Sequence, residues 1–279
     1  MQIGLDIGST TVKIAVLDDA GKLLFSKYAR HASRITETIK TILDELAAQM
    51  PWLKTARLAI SGSAGIGVAE SCGVQFVQEV FAEKICTERL NPDTDVVIEL
   101  GGEDAKILFL GRHFDARMND SCAGGTGAFI DQMASLLNVP AEELDKLAAT
   151  AKTRYTIASR CGVFAKSDIQ PLLNQGAEKN DLAASIFDAV ASQAVTGLAK
   201  GRPIKGNVLY LGGPLTFFGC LRASFDKILN LQGTCPENSL YYVAMGCAFC
   251  AEHTVDLTTL AEKMHAADAN RQFEHLPPL

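Results

Sequence analysis

The chain lacks a surplus of positive charge: 26 Lys and Arg residues stand against 32 Asp and Glu, a formal net charge of −6. A mildly acidic chain has no electrostatic reason to hold a nucleic-acid backbone or an anionic lipid surface, so neither is an expected partner. A leader pattern is also missing. Met1 to Asp6 run straight into a strand-like sequence with no basic or long apolar segment, and the expected location is cytoplasmic. No GxxxxGK[ST] run occurs, which argues against a P-loop enzyme. Apolar residues, by contrast, are plentiful. A hydrophobic share of 48% with 21% charged describes a chain that folds, and 279 residues make one large domain or two lobes. Eight cysteines in so long a chain are not the dense disulfide framework of a small secreted fold; a reducing compartment keeps them as thiols or metal ligands.

Two β-rich runs, 2–6 and 12–17, flank the polar turn Gly8-Ser9-Thr10-Thr11, and a third at 22–28 completes a predicted meander. Ile35, Ile39, Ile42, Leu43 and Leu46 then recur at helical spacing after an N-cap candidate, Ser33, and Pro51 ends the element. A strand is expected at 57–60, followed by a Gly-rich loop at 61–67 that opens a short helix. The runs 95–100 and 105–110 repeat the opening device. Asp6-Ile7-Gly8 matches Glu99-Leu100-Gly101 and Lys13-Ile14 matches Lys106-Ile107, each pair 93 positions apart. Such a repeat predicts two related α/β lobes whose turns face one central cleft. Beyond Asn119 a small-residue loop opens a helix through Leu137; Pro140 starts another, and further helices are expected at about 161–174, 182–199, 215–229 and 241–251. A strand at 207–211 leads into the tight loop Gly212-Gly213-Pro214. The expected boundaries are 1–94 for the first lobe, 95–260 for the second and 261–279 for a tail or linker.

A nucleotide's phosphates need close backbone N–H donors, hydroxyls and an acid that holds Mg²⁺ through its waters. Asp6 with Gly8, Ser9, Thr10 and Thr11 offers all three. The second turn supplies Glu99, Gly101, Gly102, Glu103 and Asp104, with Asp104 a candidate to orient the attacking water. Lys13 and Lys106 stand open between phosphate contact and plain solvation. These runs resemble the first and second phosphate motifs of the actin, Hsp70 and sugar-kinase ATPase superfamily, and Leu211-Gly212-Gly213-Pro214 resembles its adenosine motif. The resemblance implies two duplicated RNase H-like lobes around a nucleotide cleft. Glu99 stands where most of that superfamily has Asp.

More specific are Asn119-Asp120-Ser121-Cys122-Ala123-Gly124-Gly125-Thr126-Gly127 and Ser159-Arg160-Cys161-Gly162-Val163-Phe164-Ala165-Lys166-Ser167. Together they resemble the BadF/BadG family, the ATP-dependent activators of 2-hydroxyacyl-CoA dehydratases and benzoyl-CoA reductases. That resemblance implies ATP and ADP as ligands, Mg²⁺, and one 4Fe-4S cluster bridging a homodimer through Cys122 and Cys161. It implies further that Gly125, Thr126 and Gly127 belong to the nucleotide site. A reduced ferredoxin or flavodoxin would be the electron donor and an iron-sulfur dehydratase or reductase the acceptor. By composition alone the two cysteines read as small buried hydrophobes, and it is the flanking motifs that turn the reading to cluster ligands. Cys247 and Cys250, with Cys220 and Cys235, suggest zinc, but helical spacing favours packing; Cys72 and Cys86 read as packing residues. His31, His113, His253 and His265 fit no ligand spacing. Two other functions stay open: a small-molecule kinase of the same fold, acting on an N-acetyl sugar, and a non-catalytic nucleotide-sensing scaffold.

Overall fold

The computed structural model describes residues 1–111, 113–119, 124–158, 162–260 and 263. In chain order the elements are β1 (Gln2–Ile7), β2 (Thr11–Leu17), β3 (Leu23–Arg30), α1 (Ile35–Gln49), β4 (Thr55–Ser61), α2 (Ile66–Cys72), β5 (Gln75–Phe76) and α3 (Glu79–Leu90). Then come β6 (Val96–Leu100), β7 (Ala105–Phe109), β8 (Asp115–Met118), α4 (Gly127–Leu137), α5 (Leu144–Ala148), α6 (Gly162–Asn174) and α7 (Lys179–Ala199). The chain closes with β9 (Val208–Leu211), α8 (Gly213–Phe217), α9 (Gly219–Leu229), α10 (Tyr242–Phe249) and β10 (Thr254–Asp256). Two compact units result, one from Met1–Arg89 and the chain from Tyr241, the other from Leu90–Leu240.

In the first unit the sheet order is β10-β4-β1-β2-β3, with β5 paired to β4. Strand β1 is buried along its whole length, as a strand covered on both faces must be. Alternation sends Ile3, Leu5 and Ile7, with Val12, Ile14, Leu58 and Ile60, into one cluster with Ile39, Ile42, Leu43 and Leu46 of α1. The other face receives α10. A Cβ on Gly4 would lie 1.8 Å from the Ala244 carbonyl oxygen, so glycine is what lets the helix backbone approach the strand. Ala59, Val243 and Cys247 cluster on that side. Residues 241–251, grouped with the second lobe by sequence, therefore pack on β1, β2 and β4 of the first sheet. Helix α1 also starts later than the Ser33 cap suggests. Ser33 is left-handed (φ 64°) and its N–H donates to His31 Nδ1, so Arg34 takes the N-cap without a side-chain bond.

The second unit has the order β8-β7-β6-β9. Ile98, Leu100 and Ile107 pack with Ile130, Phe187, Val190, Tyr210 and Phe225 in its core. Among the described residues α7 is the one helix long and apolar enough to cross a bilayer, yet 67% of that stretch is buried inside the protein, as in a core helix. The single helix expected at 215–229 is two, because α8 begins within the glycine loop at Gly213 and stops before Phe218.

The repeat read from sequence is a repeat of hydrogen-bonded register. Asp6 faces Lys13 across the β1–β2 ladder, and Glu99 faces Lys106 across β6–β7. Each hairpin then has a parallel third strand, in which Ser61 lies beside Asp6 and Leu211 beside Glu99. The next residues, Gly62 and Gly212, have φ of 92° and 84°. A Cβ would lie 2.3 Å from the Ile7 carbonyl oxygen in the first and 2.1 Å from that of Leu100 in the second. Only glycine meets both demands.

Candidate functional site

In the first unit the turn after β1 is closed by Gly8 N–H donating to the Thr11 carbonyl at 2.9 Å. Ser9 is exposed, Gly8 and Thr10 are half-buried and Thr11 is buried, so the tip of the turn is open to solvent. His31 holds the turn from behind. Its backbone N–H donates to the Thr10 carbonyl at 3.1 Å, and its ring lies 3.1 Å from the Gly8 carbonyl. Because Nδ1 accepts from Ser33 N–H, Nε2 carries the proton and donates to Gly8. Sequence reasoning left His31 unassigned; the signal it lacked is a contact between positions 23 apart.

Asp6 is 2% exposed. Its Oδ2 receives Lys13 Nζ at 2.8 Å, while Oδ1 is buried with no hydrogen-bond partner among the described residues. A buried carboxylate oxygen left bare is costly unless a cation or water takes it up. It lies on the Gly62 side, 2.7 Å from where a Cβ there would stand. Cys247 sits close enough that burial first, and the Asp6 charge next, raise its thiol well above the ordinary value. Such a thiol stays protonated and inert, which suits packing rather than zinc. Burial likewise raises Cys86, which is fully enclosed.

In the second unit Gly101 N–H donates to the Asp104 carbonyl at 2.8 Å, the counterpart of Gly8 and Thr11. Neither lysine is a solvated strand-edge residue. Lys106 is fully buried, 2.5 Å from Glu99 Oε2 and 3.3 Å from Asp104 Oδ2. Asp104 folds over its own turn, with Oδ1 2.1 Å from where a Gly101 Cβ would be. Glu103 is exposed. The turn also grips the next helix. Gly127 N–H donates to the Gly101 carbonyl at 3.0 Å and Ala128 N–H to that of Gly102 at 2.7 Å. Those amides are among the first of α4, which have no partner inside their own helix. A Cβ on Gly127 would lie 3.2 Å from the Gly101 oxygen and 3.4 Å from Pro214 Cγ. The second phosphate-like turn, the Gly125-Thr126-Gly127 segment and the Gly212-Gly213-Pro214 loop thus converge within one unit. Thr126 is the N-cap of α4 and fully buried; Pro214 occupies the first turn of α8, where its missing N–H does no harm. Cys122 and Cys161 lie outside the described residues, as do Asp120, Ser121, Ser159 and Arg160.

Residues 3–251 match the BadF/BadG/BcrA/BcrD ATPase family. The chain is 29% identical over 253 residues to the (R)-2-hydroxyglutaryl-CoA dehydratase activating ATPase of Acidaminococcus fermentans, covering 89% of this chain and 96% of that protein. It is 29% identical over 258 residues to the 2-hydroxyisocaproyl-CoA dehydratase activator of Clostridioides difficile, covering 89% and 94%. The crystal structure of the Acidaminococcus fermentans (R)-2-hydroxyglutaryl-CoA dehydratase component A superposes with a TM-score of 0.76 at 26% identity, over 93% of this chain and 98% of that one. A ROK family glucokinase from Streptomyces griseus, at 16% identity and a TM-score of 0.52 over 90% and 98%, shares the fold alone.

Proposed function

Because the chain belongs to the BadF/BadG/BcrA/BcrD ATPase family, we propose that it is an ATP-hydrolysing activator that delivers a low-potential electron to a cytoplasmic iron-sulfur enzyme of the 2-hydroxyacyl-CoA dehydratase kind. The Gly8–Thr11 and Gly101–Asp104 turns bind phosphate, and Gly212, Gly213 and Pro214 back the adenosine. Mg²⁺, when bound, neutralises charge on the phosphoryl oxygens. Asp6 suits it through the bare Oδ1, and Glu99 is the acid at the matching place in the second copy. Hydrolysis then needs positioning and charge compensation rather than a protein nucleophile. Cys122 and Cys161 are the proposed ligands of a 4Fe-4S cluster completed by a second copy of the chain, with a ferredoxin or flavodoxin as donor.

The observation that carries this reading is the pair of hydrogen bonds from Gly127 and Ala128 to the Gly101 and Gly102 carbonyls. A turn that shifts with the γ-phosphate pulls directly on the start of α4, five residues after Cys122. A sugar kinase would have no use for paired cysteines. Anaerobic purification tests it. The expected product is brown, with about four iron and four sulfide per dimer, and Cys122→Ser or Cys161→Ser loses the iron while still binding ATP. Cys247→Ser and Cys250→Ser keep it. A colourless, iron-free protein that phosphorylates a sugar overturns the assignment.

A further inference from the structure

In the first unit Lys13, Asp6 and Ser61 form one cross-strand row over β2, β1 and β4. Alternation puts Ser61, like Ala59 two residues earlier, on the α10 face of the sheet with Asp6. Ser61 is fully buried, and its Oγ has no hydrogen-bond partner among the described residues. Beside it stands Asp6 Oδ1, equally bare and turned toward the Ser61–Gly62 edge, while Oδ2 is held by Lys13 on the opposite side. Two neighbouring buried polar atoms without partners mark a place where something polar belongs.

The second unit supplies an internal control. Its row reads Lys106, Glu99, Leu211, so the fold accepts an apolar side chain at the position equivalent to Ser61. A buried hydroxyl that bonds nothing lowers stability relative to an apolar group of the same shape, so packing gives no reason for serine here. The hydroxyl is explained if it acts with Asp6 on a shared ligand.

We propose that Ser61 is a positioning residue for metal binding: its hydroxyl and Asp6 Oδ1 together hold one water of the Mg²⁺ that accompanies the nucleotide. The inference rests on the ATPase reading above and assigns to that site a residue from the third strand, outside both phosphate-like turns. Ser61 makes no contact with the reacting phosphoryl group; it fixes the water through which Asp6 works.

The test uses the full chain with Ser61→Ala and Ser61→Thr, a fluorescent ADP analogue, and magnesium titrations. Loss of a hydrogen bond to a charged centre predicts that Ser61→Ala needs about tenfold more Mg²⁺ for half-maximal tightening of nucleotide binding. Affinity measured in EDTA stays unchanged, and so does, or rises, the melting temperature of the nucleotide-free protein. Ser61→Thr keeps the hydroxyl and restores the magnesium response. Ser61→Ala that melts lower without nucleotide and titrates magnesium like wild type shows a structural hydroxyl and overturns the proposal. Wild-type protein that binds no nucleotide in any magnesium concentration sinks the ATPase reading itself, a result separable from failure at Ser61.

Discussion

Lys106→Met removes a fully buried charge, and the structure sets the size of the effect. Lys106 is fully buried, and the Glu99 side chain 2.5 Å away is only 7% exposed. The Asp104 contact is longer, at 3.3 Å, and that side chain is 34% exposed, so water screens it and its share is small. Truncating the lysine leaves Glu99 charged, buried and without its counter-ion. Breaking a buried pair from one side costs roughly 3–5 kcal/mol, which for a unit of this size lowers the melting temperature by about 10 °C. The partner change matters as much. In Lys106→Met with Glu99→Leu both charges are gone, and exchanging a buried pair for apolar groups is close to neutral. The double variant should therefore recover most of the lost stability, with a coupling of about 2 kcal/mol or more. Circular dichroism melts give the totals, and hydrogen exchange at β6 and β7 amides places the loss in the second unit; the single Trp, Trp52, reports only on the first. A Lys106→Met protein that melts within about 2 °C of wild type, or a double variant no better than the single, refutes the argument.

Two other outcomes follow from local geometry. Gly73 and Gly62 both have positive φ, but nothing lies within 4 Å of an added Cβ at Gly73, whereas at Gly62 it meets the Ile7 carbonyl. Gly73→Ala should cost about 1 kcal/mol from the left-handed backbone alone, and Gly62→Ala about 3 kcal/mol or more because backbone must shift as well; equal urea midpoints would contradict this. Asp181 accepts the backbone N–H groups of Thr153 at 3.0 Å and Lys152 at 2.7 Å, which hold its carboxyl below the ordinary aspartate value. A depressed pKa adds stability that is present above the unfolded value near 3.9 and lost as pH falls through the lower folded one. The stability gap between wild type and Asp181→Asn should accordingly narrow below about pH 4, and a gap constant from pH 7 to 3 would show that ionisation contributes nothing.

How far the sequence could be read depended on whether a feature survives in chain distance. The hairpins repeat at one offset because their turns have equal length, so acid, Gly and Lys stay aligned and even the ladder register was implied. The third strand of each copy broke that alignment. Gly62 follows Asp6 far more closely in the chain than Gly212 follows Glu99, because connections may lengthen freely once the strands they join are fixed. The shared strand-then-glycine device was therefore invisible. Helix α3 escaped for a different reason: its buried set is Val80, Ala82, Glu83, Cys86 and Thr87, two of them polar, and no apolar stripe marks it. Of the candidate site, residues on the turns were legible as donors and acids, while His31 meets the first turn and Ser61 lies beside Asp6 only through tertiary and strand pairing, which no spacing rule announces.

The duplication also explains why the two acids are not equivalent. In the second copy the row closes on itself: Lys106 takes Glu99 and Asp104 together, Leu211 fills the third place with hydrocarbon, and the turn is locked to α4 by two backbone bonds. That arrangement gives rigidity and a mechanical link. In the first copy Lys13 occupies only one Asp6 oxygen, the other is bare, and a buried hydroxyl stands beside it. An unsatisfied buried carboxylate oxygen is tolerated when a ligand restores the balance, since the stability lost without it reappears as affinity for what fills the place. On the proposed reading, then, the first copy receives charge and the second passes movement on. The residues that would separate those proposed roles are Ser61 and Leu211, at one and the same place in the ladder.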